Sequence, residues 1–222
     1  MVISEPLNRS RWAHARWLVL APHPDDETLG AGALIAHAAA TGRLGGIIFL
    51  TDGTGSHPAG TARVGITRRS EANRAIRRLG GGGVAVDWLG WRDAHPLPVS
   101  SPAFARAAAK VGALLRTRGI DALAVSDHSE AHCDHVAAFR LAEAAIHSAR
   151  RPVSLFAYHV WSVMSASARR IATPAMTPGQ RRLALHAHRS QMSPLLGNGF
   201  RLPREKLRMP CRDILTLRSD RA

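Results

Sequence analysis

The chain has 222 residues, 45% of them hydrophobic, and carries a formal net charge of +14. This length suffices for one domain, residues 1–222, with a full core. No run of 18 uncharged apolar residues is present, so the sequence predicts no transmembrane helix. Residues 1–16 lack the apolar core of a secretion signal, and the two cysteines, Cys133 and Cys211, cannot make a disulfide framework. We therefore expect a cytoplasmic protein.

The positive charge is concentrated in the C-terminal third. Residues 150–222 carry 14 Arg and Lys against 3 Asp and Glu, a balance of +11. A basic surface can bind nucleic acid, an anionic membrane or an anionic substrate, or it can be a solvated face, which is the favoured interpretation. Aromatic residues are only 5% of the chain, which argues against nucleic acid as a partner. If the substrate is anionic, Arg181, Arg182 and Arg189 are the candidates to contact it.

Strand-like and helix-like segments alternate along the chain. Short apolar runs predict strands at residues 16–21, 46–51, 84–89, 120–126 and 153–160. Helical patterns are found at residues 28–40, 67–79, 102–116, 134–148 and 180–190. Thr28 is the expected N-cap of the first helix, and Gly42 can end it. Residues 190–222 are basic and contain proline, which predicts an irregular tail or a lid.

Strands separated by helices of about 10–15 residues indicate an α/β fold with a mostly parallel sheet between two layers of helices. In such sheets, chemistry collects at the carboxyl ends of the strands. Polar clusters follow four of the predicted strands, at residues 23–27, 51–55, 89–93 and 126–135. We expect these clusters to converge on one site.

The first cluster is the most unusual segment of the chain. The sequence PHPDDETLG places one imidazole, His23, beside three consecutive carboxylates, Asp25, Asp26 and Glu27. Consecutive carboxylates repel one another, and holding them at the end of an apolar strand is unfavourable unless a positive charge neutralises them. A divalent metal ion is the usual solution, so this segment indicates half of a metal site.

The other half is predicted in the sequence SDHSEAHCDH, after the fourth strand. It contains His128, His132 and His135, of which the last two lie three positions apart at the start of a helix. Catalytic zinc takes three protein ligands and leaves one position open, and His23, one Asp and one of these histidines would supply that set. Nitrogen and oxygen ligands without thiolate suit Zn²⁺, with Fe²⁺ or another first-row divalent ion as an open alternative.

The remaining groups at such a site could act on a carbonyl. A carboxylate beside the ion can take a proton from metal-activated water. A spare histidine can stabilise a developing oxyanion or protonate a leaving group. This set of groups indicates hydrolysis of an amide or an ester.

The motifs PHPDDETLG and HCDH resemble those of the PIG-L/LmbE-like family of zinc-dependent de-N-acetylases, which act on N-acetylglucosaminyl conjugates and related amides. Further similarity is found in TDG at 51–53, the R-x-x-E pair at 68–71, LGWRD at 89–93 and HRSQ at 188–191. The resemblance implies a Rossmann-like α/β sandwich. It also implies these roles: metal ligands at His23, Asp26 and His135, a general base at Asp25, and stabilisation of the tetrahedral intermediate by His132.

Three residues in the supporting motifs, Arg68, Asp93 and His188, are candidate substrate-binding residues. Arg68 has Glu71 three positions later, so a surface helix pair is an alternative for it.

Roles can also be predicted for three tryptophans, one cysteine and one further aspartate. The side chains of Trp88, Trp91 and Trp161 could stack on a sugar face, although core packing is favoured. The family usually has proline where this chain has Cys133, which we interpret as a small neutral filler. The alternatives are that Cys133 competes for the metal or makes the site sensitive to oxidation. Asp134 is expected to support a metal-ligating histidine.

The leading hypothesis is a metal-dependent hydrolase that removes an N-acyl group, acetyl first among them, from an amino sugar or an amino-sugar conjugate. A second hypothesis keeps the metal but acts on another amide or on an ester. A third is a basic binding module with a vestigial site, against which stands the presence of every acid, base and ligand position. Substrate identity, native metal and oligomeric state are not readable from the sequence.

Overall fold

The computed structural model describes residues 4–57, 61–164 and 169–219. Within these ranges eight strands form one sheet in the order β1-β7-β8-β6-β5-β2-β3-β4. The strands are β1 (Glu5–Pro6), β2 (Trp17–Ala21), β3 (Leu44–Thr51), β4 (Val86–Trp91), β5 (Ala122–Ser126), β6 (Ser154–Tyr158), β7 (Arg170–Ala172) and β8 (Ile214–Ser219).

The central strands are parallel, as predicted, and β8 is the exception. It lies antiparallel between β6 and β7. The expectation of an irregular tail at 190–222 is therefore wrong for the β8 residues. The short strands β1 and β7 are also absent from the sequence prediction, because two or three residues are too few to give a periodic signal.

Helices cover both faces of the sheet and make the predicted three layers. They are α1 (Asp26–Ala40), α2 (Thr61–Arg78), α3 (Pro102–Thr117), α4 (Cys133–Ala149), α5 (Gln180–Leu185) and α6 (Arg189–Met192). Short 3-10 turns occur at Leu7–Arg9, Thr54–Ser56, Pro194–Leu196 and Arg204–Arg208. In the described ranges, no helix has both the length and the apolar character needed to cross a bilayer.

Alternation along the strands builds a separate core on each face. Trp17 and Val19 of β2 point into a core shared with α1, α2 and α5, while Leu18 and Leu20 point into a core shared with α3 and α4. Every residue of β2, β3, β5 and β6 is buried, which accounts for their continuous apolar sequences.

The connections reverse direction beside β2. From β2 the chain winds outward through β3 to β4, whereas β5 pairs with the opposite edge of β2 and is followed by β6. In open α/β sheets, a crevice forms at the carboxyl ends of the strands where the winding reverses. The loops after β2 and β5 border that crevice, and they carry the two predicted metal-binding motifs.

Three helices differ from the sequence prediction. Helix α2 begins at Thr61, six positions before the predicted start at residue 67. The first helix begins at Asp26, so Thr28 lies inside it, buried, and is not its N-cap. The predicted helix at 180–190 is two short helices, α5 and α6, separated by residues 186–188. After this break, Ser190 and Gln191 of the HRSQ motif bind Glu71 and Asp25.

Helix α1 is broken at Ala31, whose φ of −130° and ψ of 15° are not helical. The guanidinium of Arg181 donates hydrogen bonds to the carbonyls of residues 28 and 29. The N–H of Leu34 donates to Asp213 Oδ2 at 2.8 Å, and Asp213 forms a buried ion pair with Arg181. These two side chains give partners to the backbone groups around the break. Contrary to the prediction, Arg181 is therefore not available to an anionic substrate.

We expect Arg181→Met to lower the free energy of unfolding by roughly 3–5 kcal/mol, because it leaves the buried carboxylate of Asp213 without its cation. Arg182→Met is the matched control, since Arg182 is exposed and its loss should change stability by less than about 0.5 kcal/mol. Urea unfolding followed by circular dichroism measures both values. Equal stability of the two variants would show that the pair does not support the broken helix.

Candidate metal centre and active site

A cavity of about 480 Å³ opens at the carboxyl ends of the central strands. Four chain segments line it: residues 23–26 after β2, residues 55–56 after β3, residues 93–94 after β4 and residues 131–135 after β5. The expected convergence of the four polar clusters is thus seen in the structure.

Three of the predicted ligands form a compact group inside this cavity. Asp26 Oδ2 lies 3.2 Å from His23 Nδ1 and 3.3 Å from His135 Nε2. Two atoms that each lie about 2.0–2.1 Å from a tetrahedral zinc ion are about 3.3 Å apart, so both spacings fit that geometry. The side chains of Asp26 and His135 are almost fully buried. The donor set therefore fits a divalent ion held by His23, Asp26 and His135.

The orientation of His23 is fixed from behind by Asp134. His23 Nε2 lies 2.9 Å from Asp134 Oδ2, the same oxygen that accepts a hydrogen bond from the N–H of Ala94. Burial lowers the pKa of His23, but the bonds to Asp134 and Asp26 outweigh it and raise the pKa to about 10. The carboxylates of Asp134 and Asp26 thus stabilise a positive charge on the His23 ring. Asp134 thus contacts the histidine that the sequence predicts as a metal ligand, and its supporting role stays a prediction.

A second group of possible ligand atoms, on His23, His132 and Asp134, lies close by. Its carboxylate oxygen is already engaged by the His23 ring and by the Ala94 N–H. The group around Asp26, on the other side of the His23 ring, is the one whose members match the predicted ligands.

The proposed base, Asp25, has strained backbone geometry. Its φ of 123° lies in a region that residues with a side chain rarely adopt. The N–H of Asp25 donates to Glu27 Oε2 at 2.9 Å, and Arg68 Nη2 donates to the Pro24 carbonyl at 2.9 Å. These bonds hold the strained turn on both sides. Glu27 thus orients the backbone of Asp25.

The carboxyl group of Asp25 is buried at the cavity wall. Gln191 Nε2 donates a hydrogen bond to Asp25 Oδ2. Burial, and after it the charge of Asp26, raises the pKa of Asp25 to about 7, and the positive charge of Arg68 limits the rise. Asp25 can therefore hold or release a proton near neutral pH. Gln191 is not among the predicted site residues, although it ends the HRSQ motif.

Arg68 joins the loops around the site. Its Nη1 donates to the Gly53 carbonyl and to Ser56 Oγ, both at 3.1 Å, and the residue lines the cavity. Glu71 lies apart from it and accepts bonds from the N–H and hydroxyl of Ser190. The surface-pair alternative for Arg68 is thus wrong, since both side chains are buried.

The other two candidate substrate-binding residues act mainly on the scaffold. Asp93 lines the cavity, but its carboxylate accepts the N–H groups of Gly53 and Gly55, each at 3.1 Å. His188 is fully buried, with Nε2 3.5 Å from Glu27 Oε1, and lies outside the cavity lining. The structure does not place His188 where a substrate in this cavity would touch it.

His132 lies at the start of α4 with one ring nitrogen already used. The N–H of Asp134 donates to His132 Nδ1 at 3.2 Å, which leaves the proton of the neutral ring on Nε2. Burial, and then the charge of His23, lowers the pKa of His132, so the ring is neutral at neutral pH. His132 lines the cavity and can offer an N–H donor to it.

The third histidine of the second motif, His128, packs against Phe139 and lies outside both the cavity lining and the ligand group. Of the three tryptophans, Trp88 stacks on Phe49 and Trp91 is buried in the core. Trp161 alone of the three lines the cavity, where it is 40% exposed. Core packing is therefore confirmed for two of them and wrong for the third.

Both cysteines of the chain lie at the surface. Cys133 and Cys211 are both free and exposed. The thiol of Cys133 points at Asp134, and burial together with that carboxylate raises its pKa, so it is not a thiolate at neutral pH.

A protein-family model described as PIG-L, GlcNAc-PI de-N-acetylase, matches residues 18–146, more than half of the chain. The chain belongs to the PIG-L family. None of the curated protein sequences compared with it is significantly similar.

Several solved structures share the PIG-L fold of this chain. The conserved protein TT1542 from Thermus thermophilus is 28% identical, with a TM-score of 0.63 over 82% of this chain and 81% of that one. The N,N'-diacetylchitobiose deacetylase from Pyrococcus horikoshii is 22% identical, with a TM-score of 0.65 over 83% and 74% of the two chains. GalB, the 4-carboxy-2-hydroxymuconate hydratase from Pseudomonas putida, is 17% identical, with a TM-score of 0.60 over 78% of each chain.

We expect the PIG-L site of this protein to bind one equivalent of Zn²⁺, and His135→Asn to remove that binding because one of three ligands is lost. Asp134→Asn should weaken binding about 10- to 100-fold, since it supports His23 from behind. Competition with a chromogenic chelator measures the affinities. His128→Asn is the control and should bind as the wild type does. Unchanged affinity in His135→Asn would place the metal elsewhere.

Proposed function

We propose that this protein is a metal-dependent amidohydrolase that removes an N-acyl group, acetyl first among them, from an amino sugar or an amino-sugar conjugate. One observation carries the proposal: a three-ligand metal group, a carboxylate able to exchange a proton near neutral pH and a neutral histidine donor line the same cavity. Together these parts can activate water, accept its proton and stabilise the charge that forms on an amide carbonyl.

The metal is proposed to be Zn²⁺, held by His23, Asp26 and His135. Two imidazoles and one carboxylate without thiolate suit this ion, with Fe²⁺ or another first-row ion as the alternative. When bound, the ion supplies positive charge that makes water more acidic and polarises a carbonyl group.

Asp25 is proposed to be the general base and then the acid for the departing amine. A base is most effective when its pKa lies near the working pH, and the pKa of Asp25 is raised to about 7. Gln191 binds Oδ2 of this carboxylate, which leaves Oδ1 to exchange the proton. The tight turn between Pro24 and Glu27 sets where that oxygen lies.

His132 is proposed to stabilise the negative charge that develops on the carbonyl oxygen. Its Nδ1 accepts a backbone N–H, so Nε2 carries the hydrogen and can donate it. A fixed donor of this kind is already oriented before charge develops, which is the source of its effect on the rate.

Similarity supports the choice of substrate class. The description of the matching family names a GlcNAc-PI de-N-acetylase, and one structural neighbour is a diacetylchitobiose deacetylase. Since GalB has the same fold and is a hydratase, the fold by itself does not fix the reaction, and our proposal rests on the site residues. Hydrolysis of another amide or of an ester is the second candidate.

We expect the metal-loaded protein to release acetate from N-acetylglucosamine or from a conjugate of it, and Asp25→Asn to lower kcat about 10²- to 10⁴-fold. Acetate release from a panel of N-acetylated sugars, other N-acetyl amines and acetyl esters measures this. Faster release from the esters would favour the second candidate. Absence of release from every amide, with metal bound at one equivalent, would contradict the proposed function.

We expect His132→Gln to lower kcat about 10²- to 10³-fold with little change in KM, because its donor acts on charge that exists only in the transition state. His128→Gln is the matched control, a half-exposed histidine in the same motif that should keep full activity. Steady-state kinetics on the best substrate of the panel gives both constants. A rise in KM at unchanged kcat would show that His132 binds the substrate in its ground state.

A further inference from the structure

Two aromatic side chains form the outer wall of the cavity. Trp161 and Phe200 both line it, and each is 40% exposed. Their rings meet edge to face, with centroids 6.3 Å apart and an interplanar angle of 89°. The buried metal ligands Asp26 and His135 and the carboxyl of Asp25 lie on the inner side. The cavity thus runs from a charged, buried end to an apolar, open end, and we call the pair Trp161 and Phe200 the aromatic wall.

Trp161 is held in place by a buried carboxylate. Glu130, which is 2% exposed, accepts the N–H groups of Val160 at 2.7 Å, of Trp161 at 3.0 Å and of Ser162 at 3.2 Å. It also accepts the hydroxyl of Ser162 at 3.0 Å. Three successive backbone donors and one hydroxyl on one carboxylate leave the chain at Trp161 little freedom.

Phe200 and the ring of Trp161 are held by contacts with other parts of the chain. The N–H of Phe200 donates to the carbonyl of Ser56 at 3.1 Å, in the loop that follows β3. The neighbouring Gly199 packs so closely on His57 that a Cβ there would lie 2.5 Å from the imidazole. Lys206 places its ammonium group 4.4 Å from the Trp161 ring centroid and donates to the Val160 carbonyl.

Large apolar side chains are seldom left exposed at fixed positions in a cavity unless they contact a ligand. The Glu130 contacts order the backbone of Trp161 but do not bury its ring. An acetyl group ends after one methyl, so the part of an acetylated substrate that reaches the outer wall is its amine-bearing part.

We propose that the aromatic wall is a binding subsite for a flat, apolar face on the amine side of the substrate, such as a sugar ring extended by an aryl or second sugar group. Glu130 is a positioning residue that acts through Trp161. The inference rests on the proposed function only in assuming that the acyl end lies at the metal centre.

Binding of p-nitrophenyl β-D-glucosaminide, an amine product with an aryl extension, tests the subsite without catalysis. The side-chain N–H signals of the five tryptophans are followed by NMR, and Trp161 is assigned from its loss in Trp161→Leu. We expect the Trp161 signal to shift saturably in the wild type. In Trp161→Leu, Kd should rise about five- to tenfold when measured by calorimetry.

Val163→Ala is the matched control, because Val163 lies on the same loop, is 90% exposed and is outside the cavity lining. It should bind the glucosaminide as the wild type does. Equal Kd values for Trp161→Leu and Val163→Ala, or shifts confined to other tryptophans, would overturn the subsite.

Glu130→Gln tests the positioning role. The amide keeps the shape of the side chain but replaces one accepting oxygen with a donor facing backbone N–H groups. We expect it to raise Kd in the otherwise unchanged protein and to have no further effect in the Trp161→Leu background. An equal effect in both backgrounds would contradict action through Trp161. For a substrate turned over in the acetate assay, both variants should raise KM and leave kcat unchanged.

Failure of the subsite and failure of the proposed function give different experimental results. Binding at Trp161 without acetate release from any amide would remove the proposed function and keep the subsite. Acetate release with the same KM and kcat in the wild type and in Trp161→Leu, for aryl and simple substrates alike, would keep the proposed function and remove the subsite.

Discussion

Three carboxylates, Asp25, Asp26 and Glu27, follow one another at the end of a buried strand, and their mutual repulsion governs how the surrounding chain is arranged. The structure separates their environments. Asp26 faces two imidazoles and its pKa is held below the usual range, whereas Asp25 is buried beside it and its pKa is raised. Glu27 turns away from the cavity and binds backbone and hydroxyl donors. The three neighbouring carboxylates thus have three different environments, which suit the separate roles proposed for them.

The topology of the sheet brings together the groups that compensate the negative charge of these carboxylates. β2 and β5 are adjacent at the reversal point, so a histidine more than a hundred residues away meets Asp26 directly. The loops after β3 and β4 close the sides through Arg68 and Asp93, which bind backbone groups more than they face the cavity. The hydrogen bonds of Arg68 and Asp93 therefore hold the loops and also shape the cavity, so that replacing either side chain should change both.

The convergence of His23, Asp26 and His135 could be predicted from sequence, because candidate metal ligands are recognisable by residue type and because the strand ends of a parallel sheet meet at one edge. His188 and Gln191 show where that logic stops. They belong to one motif, yet a helix break buries the first and turns the second onto Asp25, and no local pattern reports such a break. β8 escapes prediction for a similar reason, since its six residues gain their strand conformation from pairing with β6 and β7.

The Arg181–Asp213 pair links helix α1 to the segment that precedes β8. Asp213 binds the backbone of α1, the first long helix, and stands directly before β8, which joins β7 to the rest of the sheet. During synthesis, domains generally fold from the N-terminus as the chain emerges from the ribosome. Here helix α1, which opens with Asp26, cannot gain its last partners until Asp213, 179 positions after Leu34, has been synthesised. The broken part of that helix is therefore completed late in folding, after the residues of the central strands β2 to β6 have been made.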